Sequence, residues 1–402
     1  MIAPALAGFG SAAGTQGGAT TPSLDVLGVD GEYGRHYSFL KAIAAIWQVF
    51  VDPEVRATFK IDLDQVFPQP ELIAQTGRTA LEHLRTPLWG AEARDAANRP
   101  VELGMIAGAL VNAGDISRGL FTPDVPVPGG PGRPSDQVFF SPLPQAVSTA
   151  AEMMERYDGP LPDGVQTALE RVHVTGGTTG ILVEALRRHR PFTPSFIGRA
   201  EDQAYALSVQ GGAGPRLAYV HAAGLIMRHD KADYAGAAID AAHAGKLVGD
   251  DVRILIFSAY ARMIADQRAS EGITLDSIKA LMDPFTGGFI SRLPVTCVLL
   301  RFALRILEAY GAGRPEVGGQ YAAIGAQRLQ ETLRSTADRP RFRARIEDER
   351  LQWQALYDTL DAAQAAQATG DPEALRLRRR AIELVDGWRV RPRSRSDRPA
   401  LP

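Results

Sequence analysis

One cysteine, five lysines and 7% aromatic residues mark what this 402-residue chain has little of. Cys297 alone cannot form an intramolecular disulfide or a cysteine-based zinc site, so the fold must rest on its apolar core and suits a reducing compartment. Within the apolar run Leu293–Leu300 it reads as a buried small hydrophobe, since no helix start or adjacent cation would activate a thiolate there. A charge excess is missing too. The 44 basic and 46 acidic side chains leave a net charge of −2, which gives no global attraction to nucleic acid or to an anionic membrane. The longest apolar run, Leu103–Gly114, has 12 residues and contains Asn112, against about 20 for a membrane-spanning helix. No transmembrane segment is expected. The first charged side chain is Asp25, and glycines interrupt the residues before it, so no secretory signal is read and a cytoplasmic location is expected.

What is present describes a globular protein: 45% hydrophobic and 22% charged residues, with room for two domains. Residues 1–23 are small and polar, and are expected to be flexible. Leu24, Val26, Leu27 and Val29 suggest a short strand. Phe39, Ala42, Ile43, Ile46, Trp47 and Phe50 follow at the three- and four-residue spacing of an amphipathic helix. Alternation of Ala57, Phe59, Ile61 and Leu63 predicts a strand over Val55–Phe67, which runs into acids.

Helices are predicted at Pro70–Leu84, Pro100–Asn112, Leu143–Tyr157 and Gly180–His189. Five prolines and three glycines in residues 121–135 exclude helix and central strand there and suit either a lid over bound donor or a plain surface loop. Strands are predicted at Arg171–Thr175 and Arg216–Met227. Residues 232–386 keep helical spacing almost throughout, without an internal repeat. From Trp388 onward, arginines among Pro and Ser form a basic tail expected to be disordered rather than nucleic-acid-binding.

Three clusters carry candidate chemistry. Asp62 and Asp64 lie two residues apart at the end of a hydrophobic strand, where ligands meet α/β sheets, and two carboxylates there suit Mg²⁺ or Mn²⁺. The alternative is a pair of solvated turn acids. Thr175-Gly176-Gly177 allows close backbone approach to a ligand, and Glu201-Asp202 beyond it supplies a base or fixes sugar hydroxyls; an exposed acidic pair beside Arg199 is the plainer reading. Arg228-His229-Asp230-Lys231 ends a strand, with an imidazole able to bind metal and cations able to neutralise phosphate. Trp89 offers a flat face for sugar stacking, or a core side chain.

In order and spacing these clusters resemble nucleotide-sugar glycosyltransferases of the GT-A fold, especially the family-2-like group with its mannosylglycerate synthase and glucosyl-phosphoglycerate synthase types. The resemblance covers roughly residues 30–235. It implies an α/β, GT-A-like domain over 24–235, followed by an α-helical domain over 236–387 and the basic tail 388–402. By the same resemblance, Asp64 binds the metal, Asp62 the nucleotide ribose or the metal, and His229 closes the coordination, while Arg228 and Lys231, as cations at a strand end, are read as holding the nucleotide's phosphates. Trp89, Gly176 and Gly177 then line the substrate site, and Asp202 and Glu201 are catalytic. Asp202 would be the base if the anomeric centre inverts and an orienting group if it is retained.

The implied partners are a nucleotide-diphosphate sugar and a small-molecule or glycan hydroxyl acceptor; a homo-oligomer is compatible with this reading. Only 61 residues precede Asp62, against the longer nucleotide cradle the resemblance implies, so either that half is abbreviated, the chain start lies within a longer protein, or catalysis has been lost. That shortness motivates a rival reading, a degenerate, non-catalytic domain acting as a binding or scaffolding module. A metal-free glycoside hydrolase using two carboxylates is a third.

Overall fold

The computed structural model describes residues 24–27, 33–61, 65–86, 89–94, 100–112, 178–198, 200–209, 216–229, 243–281, 290 and 292–388. The predicted N-terminal flexible segment, the loop 121–135, the helix Leu143–Tyr157, the strand Arg171–Thr175 and the basic tail beyond Trp388 lie outside these residues. The fold class is mixed α/β, with a six-stranded sheet and a helical C-terminal half. Among the described residues no helix is long and apolar enough to cross a membrane.

The chain opens with a 3₁₀ turn at Leu24–Leu27, where the sequence suggested a strand. Four residues that bury Val26 against the core need no sheet partner. Helix α1 (Tyr33–Phe50) follows as its spacing predicts. Strands β1 (Ala57–Ile61) and β2 (Gln65–Val66) occupy the predicted strand on either side of residues 62–64. The predicted helix 70–84 is two helices, α2 (Gln69–Thr76) and α3 (Ala80–Leu84). Gly77 stops α2 in the left-handed conformation, φ 72°, which costs glycine little. Thr79 and Glu82 then cap α3 reciprocally, a box that restarts helix after the break.

After β3 (Glu92–Arg94) comes the largest departure from the sequence reading. Pro100–Asn112 is not a helix but β4, a 13-residue strand. Residues 103–107 are all buried, so neither face shows polar alternation, and an apolar run without a polar face cannot reveal its period. Pairing decides the matter. β4 lies between β5 (Thr178–Leu182) and β6 (Arg216–His229), antiparallel to the first and parallel to the second. Thus Gly180–Leu182, expected as helix, is strand, and α4 (Val183–His189) begins immediately after it. Strand β6 matches its prediction and runs two residues further.

The strand order is β1-β5-β4-β6-β2, with β3 on β4. β1 and β2 stand at opposite ends of this order, yet only residues 62–64 join them. Four chain steps reach at most about 14 Å, while four flat inter-strand steps cover about 19 Å. The sheet therefore curls until its two edges come within reach of that connection, as a strongly twisted sheet can.

Beyond the sheet come the short α5 (Glu201–Leu207), then α6 (His243–Gln267), α7 (Leu275–Leu281), α8 (Pro294–Gly311), α9 (Pro315–Ala337), α10 (Arg339–Ala368) and α11 (Pro372–Trp388). The main core is continuous between the two halves: Tyr37, Ala45, Ile181 and Tyr205 share one cluster with Phe342, Trp353, Tyr357 and Leu360 of α10. Ion pairs reinforce this joint, with Arg187 on Asp361 and Arg190 on both Asp358 and Asp361. A buried ion group, Asp251 with Arg301 and Arg305, ties α6 to α8. Cys297 is half-buried beside Ile254 rather than fully buried, and Leu299 and Leu300 next to it are exposed, because only one face of α8 packs inward.

Candidate functional site

Helix α1 places Tyr37 and Lys41 one turn apart on its inner face, beneath the sheet. Both are nearly fully buried. Lys41 Nζ donates to Thr179 Oγ1 at 3.0 Å, and the Tyr37 hydroxyl shares a hydrogen bond with the same oxygen at 3.1 Å. Thr179 lies on β5 opposite Lys60 of β1. The Lys41 ammonium also sits 4.8 Å from the Tyr37 ring centre and 5.7 Å from that of Tyr205, while Lys60 approaches Tyr37 at 5.3 Å. Tyr37 and Tyr205 meet edge to face at 5.2 Å.

Helix α5 brings Asp202, Gln203 and Tyr205 to this group. Asp202 is buried, 7% exposed, so it is not half of an exposed acidic pair. Glu201 is half-exposed, and its carbonyl accepts from Thr193 Oγ1 at 2.6 Å. Ala200, which starts α5, is held in the left-handed region, φ 53°, an uncommon conformation for a residue with a Cβ that clusters at functional sites. The turn leading to it is buried and fixed from both sides. Thr193 N–H donates to Ser38 Oγ at 2.7 Å, and Glu349 of α10 accepts from the Ser195 N–H at 2.7 Å and its hydroxyl at 2.6 Å.

Burial drives the Lys41 pKa from 10.5 down to about 7; the nearby Lys60 charge lowers it further, and the Asp202 carboxylate opposes both. Lys41 therefore changes charge near neutral pH, where lysine ordinarily does not. Burial raises the Tyr205 phenol well above its usual value, with Tyr357 and Tyr37 adding to the effect. Its hydroxyl has no hydrogen-bond partner among the described residues. A buried lysine that can be neutral, a buried carboxylate and two phenols form an environment able to hold or relay a proton.

Of the residues singled out from sequence, Asp202 enters this group, and Thr179 belongs to the run that follows Gly176-Gly177. Asp62, Asp64, Gly176, Gly177 and Lys231 lie outside the described residues, and of Arg228 and His229 only the backbone is described. Strand register nevertheless orders the flanks of these motifs. Ile61, directly before Asp62, pairs with Thr178, directly after Gly177. Gln65, directly after Asp64, pairs with His229, which also lies opposite Asn112. All of these positions lie at the same end of the curled sheet, toward which β1, β4 and β6 run.

Trp89 is half-buried against the small cluster around Leu72 and Val101, and its indole N–H donates to the Gly104 carbonyl at 3.1 Å. Among the described residues no group of three His, Cys, Asp or Glu could hold a metal ion.

Sequence reasoning missed Tyr37, Lys41, Lys60 and Tyr205. The available signal was a lysine on the inward face of α1, flanked by Ala42, Ala44 and Ala45, in a chain whose cations are nearly all arginine. Comparison with family models, with curated proteins and with solved structures finds no match to any of them.

Proposed function

We propose that the chain is a metal-dependent glycosyltransferase of GT-A-like architecture that moves a sugar from a nucleotide-diphosphate donor to a hydroxyl acceptor. The observation that carries this reading is the buried Asp202 of α5, near Lys41 of α1, which is bonded to Thr179 on a sheet whose register gathers the flanks of Asp62, Asp64, Gly177 and His229 at one end. Asp62, Asp64 and His229 would hold the cation; two carboxylates and one imidazole are a donor set that suits Mn²⁺ or Mg²⁺. When bound, such an ion offsets charge on a diphosphate leaving group.

The chain's own residues supply the rest of the reading. Asp202 accepts the proton of the attacking hydroxyl in an inverting reaction, or orients that hydroxyl in a retaining one. Burial keeps water from this carboxylate, and the Lys41 ammonium, where protonated, lies close enough to interact with its charge. Arg228 and Lys231 would neutralise phosphate oxygens, and Gly176 and Gly177 would let backbone approach the substrate. Trp89, already committed through its N–H to β4, can offer a ring edge or face to a sugar only from that fixed position.

The test is release of nucleoside diphosphate from a panel of nucleotide sugars with Mn²⁺ and candidate hydroxyl acceptors, paired with nucleotide calorimetry. Asp64→Ala is expected to abolish turnover and metal-dependent nucleotide binding. Asp202→Asn is expected to lower kcat by about 100-fold or more with nucleotide affinity retained. Nucleotide binding without turnover throughout the panel would favour a binding module instead, and unchanged turnover in Asp64→Ala would remove the metal assignment.

A further inference from the structure

Helices α6, α7, α8, α9 and α10 border a half-open cavity of about 500 Å³ in the C-terminal half, a size common for small-molecule sites. Its lining is mixed, with an apolar part that includes Leu255, Met263, Ile273, Leu275, Leu333 and Phe342. Ser258 also lines it. That side chain is completely buried, and its hydroxyl has no hydrogen-bond partner among the described residues, a state that native structures rarely leave uncompensated.

Charge at the cavity is one-sided. Arg262, Arg339 and Arg343 line it against a single acid, Asp266. Arg262 is anchored through Nη2 to the Arg292 carbonyl at 3.0 Å. Arg339 and Arg343 are exposed and have no acidic partner among the described residues.

From this combination we infer that the cavity binds an organic anion with an apolar body, an acyl carboxylate in its simplest form. A bare inorganic anion would leave the apolar walls wet, and a neutral hydrocarbon would leave the guanidinium groups unused. An acyl carboxylate satisfies both, with its head among the arginines and its chain against the leucine, isoleucine and phenylalanine walls. The site is separate from the Lys41 group and does not depend on the glycosyltransferase reading.

Calorimetry on the full chain with hexanoate, octanoate and decanoate tests the inference, with decanol as the neutral control. One saturable site is expected, tightening about fourfold per added methylene until the cavity is full, with decanoate bound more tightly than decanol. Substituting Arg339→Gln and Arg343→Gln together, at exposed positions where folding is not at risk, is expected to weaken decanoate about tenfold and leave decanol unchanged. Ala259→Phe, which fills the cavity, is expected to remove binding of both. Non-saturable uptake, equal affinity for acid and alcohol, or unaltered decanoate affinity in the double arginine variant would each overturn the proposal. Should Ala259→Phe fail to fold, the arginine pair still decides.

Discussion

Lys41 Nζ donates to Thr179 Oγ1 at 3.0 Å inside the protein, with Asp202 as the carboxylate that favours its charge. This contact joins the inner face of α1 to strand β5 across 138 positions of sequence. Four expectations can be checked directly.

Stability should depend on pH through Lys41. Its folded pKa, about 7, lies below the ordinary 10.5, so below about pH 7 both states hold the proton and the folded chain bears the full burial penalty. Between about pH 7 and 10.5 the unfolded chain keeps a proton that the folded chain has lost, and stability rises with pH. Lys41→Met removes this dependence. Chemical denaturation should show the variant's stability relative to the parent falling by about 2 kcal/mol from pH 7 to pH 9; parallel pH profiles would contradict the assignment.

Asp202 raises the Lys41 pKa, so Asp202→Asn should lower it below about 7. Carbon-detected titration of the lysine side chain reads this without any activity assay. An upward or absent shift would mean that the two groups are not electrostatically coupled.

In the helical half, Asp251 is fully buried between Arg305, 2.6 Å away, and Arg301, at 3.3 Å. Asp251→Ala leaves two guanidinium groups facing each other with their counter-charge gone, and should cost about 3–5 kcal/mol. Replacing all three by Leu, Met and Met should recover most of that loss in urea denaturation, because the desolvation penalty disappears with the charges.

Two glycines of α9 should respond oppositely to alanine. A Cβ at Gly325 would run into the Phe302 ring, so Gly325→Ala should destabilise the α8–α9 contact by about 1–3 kcal/mol. At Gly319 a Cβ meets nothing within 4 Å. Gly319→Ala should therefore add up to about 1 kcal/mol through helix propensity. Paired thermal melts read both signs.

Helix α1, the strand of residues 216–229 and the long helices beyond residue 243 were legible in sequence because each shows one apolar face whose period survives in the residues themselves. Asp202 stood out in sequence as a candidate, through its place in a Glu-Asp pair after a glycine run. Its burial was not. That depends on the Thr193–Ala200 turn being fastened to Ser38 and Glu349, which come from helices 150 residues apart or more in sequence from it.

Local composition by itself determined the absence of disulfides, the near-neutral charge and the amphipathic helices, because each is a property of a residue or of its near neighbours. Only the tertiary structure decided that Pro100–Asn112 is a strand, since an apolar run buried on both faces takes its conformation from its hydrogen-bonding partners, here β5 and β6. It also decided that Lys41 titrates near neutrality. A lysine's charge is lost only when the fold withdraws it from water, and no pattern along the chain carries that desolvation energy.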